Sequence, residues 1–239
     1  MNSNFDDVLV VIPARGGSKG IRKKNSKLLC GKPLVKYTIE SALRAFSSKN
    51  VCISTDDEEI AKIATDAGLE IPFLRPSELA SDQSTTQSVL LHALDFFEKR
   101  RGAPYKMIVL LQPTSPFRKM EFFEQAISLY SNECDMVASV HATKSNPYYV
   151  LFTEEKGFLN KVSKGSFTRR QDCPLVYELN GNIYCINTKA LRSKKMSEFD
   201  KIRKLVIPEI YAVDIDNELD WIIATSILEK TNLLEEESF

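Results

Sequence analysis

The segment that most constrains this chain is residues 8–25, which reads VLVVIPARGGSKGIRKKN. Its first five residues, Val8 to Ile12, are all apolar and mostly β-branched, which predicts a strand buried on both faces. The following eleven residues, Arg15 to Asn25, contain three glycines and five cations. Glycine lets backbone N–H groups approach a ligand closely, and Arg and Lys supply positive charge. The segment therefore predicts a strand that leads into a polyphosphate-binding loop.

Three other interpretations of this loop fit less well. An ordinary solvated turn also contains Gly, Ser and Lys, but it needs neither so many cations nor a buried strand before it. A Walker loop requires Gly-Lys-Ser or Gly-Lys-Thr, whereas Gly20 is followed by Ile21. The dinucleotide fingerprint Gly-x-Gly-x-x-Gly does not match the spacing of Gly16, Gly17 and Gly20. We therefore expect an anion-binding loop of a different kind.

Composition narrows the class of protein. Lys plus Arg and Asp plus Glu number 32 each, so no global field favours nucleic acid and the basic cluster acts locally. The five cysteines are scattered without Cys-x-x-Cys spacing, which is typical of reduced thiols and of neither a zinc site nor a disulfide framework. Residues 1–7 are polar and acidic, unlike a signal peptide or a membrane span. We expect a cytoplasmic protein that binds neither nucleic acid nor membrane.

Strand and helix patterns alternate along the chain. Besides the first strand, strands are predicted at residues 51–54, 69–74, 107–111, 135–140 and 183–186, and helices at 33–46, 58–67, 88–99, 121–130 and 219–227. This alternation predicts an α/β fold with a doubly wound, mostly parallel sheet. Ligands of such sheets bind beyond the carboxyl ends of the strands, where Arg15, Asp56 and Gln112 are expected. A length of 239 residues fits a single domain, 1–239, with a subsidiary excursion.

Two stretches interrupt the alternation. The sequence Gln112-Pro113-Thr114-Ser115-Pro116 has two prolines, which predict a rigid loop that presents Gln112 and Thr114. Residues from about 141 to 179 lose the regular pattern and are rich in aromatic side chains. We expect them to form an arm of short strands that covers the site or reaches a second subunit. The sequence Asn180-Gly181-Asn182 predicts a turn into the strand that returns to the main sheet.

A pair of acids near the end of the chain is the second informative motif. In an extended strand, Asp214 and Asp216 share a face while Ile215 enters the core. Two carboxylates on one face repel each other unless a cation lies between them, and Mg²⁺ prefers such oxygen ligands. Asn217 is predicted to cap the helix that follows. The alternative interpretation is a strand end and helix cap that carry acids without binding a metal. Combined with a cation-rich loop, the pair supplies the two parts that nucleotidyl transfer needs.

Several motifs together resemble the acylneuraminate cytidylyltransferases, also called CMP-sialic acid synthetases. They are IPARGGSKG at residues 12–20 with Lys24-Asn25, STD at 54–56, RPSELASD at 75–82, LQPTSPFR at 111–118, NGNIY at 180–184 and DID at 214–216. The resemblance covers essentially the whole chain. It implies a Rossmann-like nucleotidyltransferase fold and a homodimer whose domain-swapped arm corresponds to residues 141–179. It also implies that CTP is coupled to a nine-carbon 2-keto sugar acid, most simply N-acetylneuraminic acid.

The resemblance also assigns roles to residues. It implies catalytic roles for Arg15, Lys24, Asp214 and Asp216, with the two acids holding Mg²⁺, or Mn²⁺ as a substitute. It also implies a nucleotide-binding set, which combines residues of the polyphosphate-binding loop with residues that contact the nucleoside. This set is Ala14, Arg15, Gly16, Gly17, Ser18, Lys19, Lys24, Asn25, Arg75, Ser81 and Asp82. The sugar-binding set is Gln112, Thr114, Arg170 and Asn180. No residue is singled out as a general base.

Two departures from the family pattern lie on the sugar side. Tyr149 and Glu178 stand where relatives carry Lys and Arg, so legionaminic acid or another bacterial nonulosonic acid is an alternative substrate. KDO fits less well, because the KDO enzymes open with a different loop. From the residues alone, two further interpretations remain, a glycosyltransferase that uses the Asp-x-Asp spacing of Asp214 and Asp216, and a nucleotide-binding domain without turnover.

Overall fold

The computed structural model describes residues 5–18 and 20–231, and its central feature is a six-stranded sheet. Its strands are β1 (Val8–Pro13), β4 (Val51–Ser54), β5 (Met107–Leu110), β6 (Met136–Ala142), β9 (Tyr177–Asn187) and β10 (Ile202–Val206). They lie in the order β10-β6-β9-β5-β1-β4. The pairs β1/β4, β1/β5 and β6/β10 are parallel, and β9 runs antiparallel to both neighbours. The predicted mostly parallel sheet is confirmed.

Helices cover both faces of this sheet. They are α1 (Leu34–Ala45), α2 (Glu58–Asp66), α3 (Thr86–Arg101), α4 (Met120–Leu129), α5 (Thr188–Ser193) and α6 (Glu218–Lys230). Successive side chains of a strand point to opposite faces, so Val10 and Ile12 of β1 pack with α1, α2, α4 and α6. Leu9 and Val11 pack with α3 and α5 on the other face. This arrangement confirms the doubly wound architecture.

Polar residues fix where the helices begin. Asp57 accepts a hydrogen bond from the N–H of Ile60 at the start of α2, and Asn217 accepts from the N–H groups of Leu219 and Asp220 at the start of α6. Such caps satisfy N–H groups that have no partner inside the helix. The predicted Asn217 cap is confirmed.

The strand predicted at residues 69–74 is not present. The segment forms no ladder with another strand, and the Arg75 N–H that follows it donates to the Thr55 carbonyl at 2.7 Å. Pro72 has no N–H to donate, which prevents regular pairing at that position. The apolar character of residues 69–74 therefore did not indicate a β-strand.

The turn predicted at Asn180-Gly181-Asn182 is also wrong, because these residues lie inside β9. The register of β9 against β6 shifts between Ala138 and Val140, which makes a bulge opposite Ser139. Gly181 adopts φ +69°, a conformation that L side chains rarely adopt. The glycine signal was real, but it marks a bulge within a strand.

Two short hairpins lie outside the main sheet. β2 (Leu28–Leu29) and β3 (Lys32–Pro33) pair just before α1. β7 (Phe152–Glu155) and β8 (Phe158–Lys161) form a second hairpin in the predicted arm, and all of their residues are exposed. The sheet still pairs His141 with Glu178, so the chain leaves it over residues 143–176. That 1–239 is one domain with an inserted arm stays a prediction.

Asp135, immediately before β6, ties the edge strand β10 to the sheet. Its carboxylate accepts hydrogen bonds from the N–H groups of Asp200 (3.1 Å) and Lys201 (3.0 Å) and pairs with the Lys194 ammonium at 2.9 Å. Burial alone raises the pKa of this carboxyl, but Lys194 and the two N–H groups outweigh burial and lower the pKa to about 2. The ionised carboxylate therefore stabilises the folded chain.

We expect this stabilisation to depend on pH. The folded pKa lies below the unfolded value of about 3.9, so the contribution is complete above about pH 5 and is lost as the pH falls toward 2. Asp135→Asn is expected to lower the free energy of unfolding by about 1–2 kcal/mol near pH 6 and by less near pH 3. Urea unfolding of both proteins at the two pH values measures this. An equal difference at both would contradict it.

Two further observations concern the described residues as a whole. Within residues 5–18 and 20–231, no helix has the length and apolar character needed to cross a membrane. The five cysteines are free thiols, as predicted.

Candidate functional site

A cavity of about 670 Å³ lies beyond the carboxyl ends of β1 and β5. It is the place where ligands bind in sheets of this type. Predicted site residues that line it are Arg15, Ser18, Lys24, Asn25, Arg75, Ser81, Asp82, Gln112, Thr114, Asp214 and Asp216. Most of the residues predicted to bind nucleotide, metal and sugar are thus brought to one cavity.

The cradle loop is defined as residues 14–25. Some of its residues do not line the cavity but contact the neighbouring chain. Ala14 is fully buried, and its N–H donates to the Ser54 carbonyl at 2.9 Å. The Gly16 N–H donates to Asp56 Oδ1 at 3.0 Å, and a methyl group at Gly16 would overlap the side chain of Asp57. Gly17 has open space around it, and Lys19 lies outside the described residues.

Two predicted sugar-binding residues do not line this cavity. Arg170 lies in the arm, where its guanidinium donates to the Lys144 carbonyl at 2.9 Å. Asn180 is buried in the bulge of β9, and its Oδ1 accepts from Ser139 Oγ at 2.6 Å and from the Asn182 N–H at 3.2 Å. Asn180 Nδ2 is buried and has no partner. Their sugar-binding roles stay predictions.

The cradle loop is in direct contact with the acid segment, defined as residues 214–217. The Lys24 ammonium donates to the Ile215 carbonyl at 2.6 Å and to Asp216 Oδ1 at 3.0 Å. Only 10% of the Lys24 side chain is exposed, so the contact is shielded from water on the lysine side. Gly20 packs against the Asp216 carbonyl so closely that a methyl group there would overlap it. The two motifs predicted to cooperate are therefore physically joined.

Asp214 differs from Asp216 in its environment. The acid segment was predicted to be a strand, but it has no strand pairing. It is held instead by the Ile215 N–H, which donates to the Thr114 carbonyl at 2.8 Å. Asp216 is largely exposed, whereas Asp214 is half-buried and its Oδ1 is buried without a partner. Burial raises the pKa of Asp214, Thr114 opposes the shift, and the charge of Asp216 adds to it.

This environment fits a hard divalent cation. Paired carboxylate oxygens are ligands that such ions prefer, and a cation would relieve both the buried Asp214 oxygen and the repulsion between the acids. Within the described part of the chain, no three His, Cys, Asp or Glu side chains form a ready metal cage. A cation held by the two carboxylates would need further oxygen ligands from other protein groups, substrate or water.

Two arginines that were predicted to bind the nucleotide line the cavity. Arg75 is buried, and its guanidinium donates to the hydroxyl of Ser54 at 3.0 Å and also to the Ser54 carbonyl. Burial lowers the pKa of Arg75, and the charge of Asp56 opposes the shift. Arg15 instead pairs with Asp82 at 2.8 Å, and both side chains are partly exposed. Exposed ion pairs are weak, so breaking the pair between Arg15 and Asp82 costs little free energy.

The loop after β5 is held against the bulge of β9. The Gln112 N–H donates to the Gly181 carbonyl at 3.3 Å, and Ser115 Oγ donates to the Asn180 carbonyl at 2.7 Å. A methyl group at Gly181 would overlap the Gln112 side chain. The bulge thus lets Gln112 lie across it.

One wall of the cavity was not predicted from the sequence. It consists of Leu79, Ser84, Thr85, Thr86 and Val89, which lead into and begin α3. Thr85 caps α3 by accepting from the Ser88 N–H at 3.1 Å. A Thr before an apolar helical pattern is an N-cap signal, so the start of α3 could have been placed from it.

Comparison with known proteins gives matches over nearly the whole chain. The sequence model of a family described as cytidylyltransferase matches residues 9–238. The CMP-N,N'-diacetyllegionaminic acid synthase of Legionella pneumophila is 33% identical over 229 residues, which are 93% of this chain and 96% of that protein. An N-acylneuraminate cytidylyltransferase of Escherichia coli is 31% identical over 94% of this chain, which spans only 53% of that longer protein.

Solved structures agree on the fold. A structure described as CMP:2-keto-3-deoxy-manno-octonic acid synthetase complexed with CTP superposes with a TM-score of 0.66 and 16% identity. The match covers 93% of this chain and 98% of the other. The Rossmann-like nucleotidyltransferase architecture expected from the sequence is confirmed.

Proposed function

Because this chain belongs to the cytidylyltransferase family, we propose that it joins CTP to a nonulosonic acid and releases pyrophosphate. The family match covers residues 9–238. The observation that carries the proposal is the cavity in which the cradle loop and the acid segment meet. A glycosyltransferase would use the two acids but leaves the cradle loop without a role, and a domain without turnover leaves the paired acids without one.

The proposed reaction is an in-line displacement at the α-phosphorus of CTP. The anomeric hydroxyl oxygen of the sugar acid bonds to that phosphorus and loses its proton. The bond from the phosphorus to the oxygen bridging to the β-phosphate breaks, and pyrophosphate leaves with that electron pair. Phosphoryl transfer depends mainly on positioning and on stabilising the developing charge.

Cations of the chain would supply much of that stabilisation. Arg15 faces the cavity and is released from Asp82 when a phosphate takes its place. Lys24 is held in a fixed position by the Ile215 carbonyl and Asp216. A guanidinium and an ammonium fixed before the reaction need no rearrangement as charge moves onto the leaving group. We place both on the triphosphate.

We propose that Asp214 and Asp216 hold Mg²⁺, for which Mn²⁺ is a substitute. The unpartnered oxygen of Asp214 and the exposed carboxylate of Asp216 support this assignment. A bound divalent cation supplies Lewis-acid stabilisation to phosphate oxygens. On the sugar side, Gln112 and Thr114 line the cavity next to the acids and would orient the sugar by hydrogen bonds.

Two sugar acids deserve priority. N-acetylneuraminic acid follows from the resemblance of the motifs. N,N'-diacetyllegionaminic acid is supported by the Legionella relative, which aligns over nearly the full length of both chains, whereas the N-acylneuraminate relative is about twice as long. The resemblance places the departures at Tyr149 and Glu178 on the sugar side, although neither residue lines the cavity.

Pyrophosphate release tests the function directly. The protein is given CTP and Mg²⁺ with N-acetylneuraminic, N,N'-diacetyllegionaminic or KDO acid in parallel, and ATP, GTP and UTP serve as controls. We expect release with CTP and a nine-carbon acid. Silence with every acid despite CTP binding would overturn the proposal in favour of a nucleotide-binding domain.

We further propose that the protein is a homodimer and acts in the cytoplasm. The arm exposes Phe158 by 75%, Leu159 by 70% and Leu175 by 75%, and such apolar surface is typical of an interface. Free thiols are typical of a reducing compartment. Sedimentation should give twice the chain mass of 27.1 kDa, and a monomer would overturn the dimer.

A further inference from the structure

Arg118 is a buried cation at the centre of the molecule. It is 1% exposed and is the largest of the fully buried side chains. None of the described carboxylates forms an ion pair with it. Burial lowers its pKa to about 9, and the charge of Asp214 opposes this shift from a distance. A charge in such a place is expensive, so a reason other than packing is needed for an arginine here.

The guanidinium joins three separate parts of the fold. Nε donates to the Asn182 carbonyl in the bulge of β9 at 2.7 Å. One terminal nitrogen donates to Thr38 Oγ1 of α1 at 2.8 Å, and the other donates to the Gln112 carbonyl at 2.6 Å. Only a planar fork of several donors can hold three acceptors in such fixed directions.

Two of the three acceptors, Gln112 and Asn182, are linked to the proposed sugar side of the cavity, and the third, Thr38, lies in α1. Gln112 lines the cavity itself. Asn182 donates from its side chain to the carbonyls of Phe117 and Tyr211, and its N–H donates to Asn180 Oδ1. The contacts on the proposed nucleotide side, Arg15 with Asp82 and Arg75 with Ser54, share none of these groups.

We propose that Arg118 is a positioning residue for the sugar acid, because it fixes Gln112 and the β9 bulge relative to each other and to α1. This inference rests on the proposed function. On this proposal, the buried guanidinium supports binding of the sugar acid and has little influence on binding of CTP. Arg118 itself does not touch substrate, and acts through the Gln112 backbone and through the bulge that carries Asn180 and Asn182.

The test compares two substitutions that remove hydrogen bonds of the Arg118 guanidinium with one that keeps them. Arg118→Lys keeps the charge but removes the fork. Thr38→Val removes one acceptor at nearly constant shape, and Thr38→Ser keeps the hydroxyl as its matched control. Each protein is assayed for KM and kcat with the sugar acid and for CTP affinity by calorimetry, and thermal unfolding checks folding.

We expect the sugar KM to rise about tenfold or more in Arg118→Lys and about threefold in Thr38→Val, since small misplacements of positioning groups are costly. The CTP affinity should stay within about twofold in both, and Thr38→Ser should match the wild type. Equal losses for sugar and CTP, or a sugar KM that does not change, would overturn the inference. If Arg118→Lys does not fold, the comparison of Thr38→Val with Thr38→Ser decides.

Sugar binding is also measured without turnover, by saturation-transfer NMR on the CTP complex. A wild type that binds the acid but releases no pyrophosphate refutes the proposed function alone. The variants then still test Arg118 through their loss of acid binding. A wild type that binds no acid refutes both proposals.

Discussion

Asp214→Asn is expected to lower kcat for CMP-sugar formation by about 100-fold or more, which corresponds to about 2.7 kcal/mol or more of transition-state stabilisation. The substitution preserves shape but removes the charge of a carboxylate whose Oδ1 is buried without a partner and which we propose as a ligand of the cation. Steady-state kinetics over a range of Mg²⁺ concentrations measure it. Glu218→Gln is the matched control, because Glu218 lies close by in sequence, is largely exposed and pairs with Lys27.

The same variant separates a catalytic role from a structural one. Burial raises the pKa of Asp214, so its charged form is disfavoured by the fold near neutral pH. We therefore expect the free energy of unfolding of Asp214→Asn to be unchanged or higher while activity falls. A loss of activity below about tenfold, or a loss that follows a drop in stability, would contradict the assignment.

Gly20→Ala is expected to lower kcat/KM for CTP by about 100-fold. A methyl group at Gly20 would overlap the Asp216 carbonyl, so the cradle loop and the acid segment must move apart. That movement also disturbs the Lys24 contacts with Ile215 and Asp216. Because the loop carries Arg15 and the segment carries both acids, one methyl group misplaces both halves of the site.

Gly17→Ala is the comparison for this prediction, since a methyl group at Gly17 has nothing within 4 Å. Its loss in kcat/KM is expected to be at least about tenfold smaller. Equal losses in the two variants would indicate that glycine flexibility, and not the packing against Asp216, explains the effect. Full activity of Gly20→Ala would show that the two segments are not required to touch.

Local patterns predicted the parts of this molecule well, because their signals are contained in neighbouring residues. The β-branched run from Val8 to Ile12 is buried on both faces, and Asn217 caps a helix, as the sequence indicates. Many of the predicted site residues also line one cavity. These are the features that period, capping and charge clustering encode.

Features that depend on distant partners were missed. The run at residues 69–74 looks like a strand, but it pairs with no strand of the sheet, and the apolar pattern alone does not reveal this. Gly181 adopts a positive φ, as a glycine in a turn often does. A β-bulge can use the same conformation, so the glycine alone did not distinguish the two. Arginine is a residue type usually found at the surface. Arg118 is buried because α1, β9 and the loop after β5 meet around it.

The contact of Lys24 with the acid segment has a consequence for synthesis of the protein. The Lys24 ammonium and the Ile215 carbonyl are 191 residues apart in the chain. At about 5–20 residues per second, a ribosome needs about 10–40 s to make the intervening sequence. Throughout that interval a nascent chain displays its cations without the acids that fix them. Assembly of the cavity therefore has to wait until the acid segment has been made, long after the cradle loop.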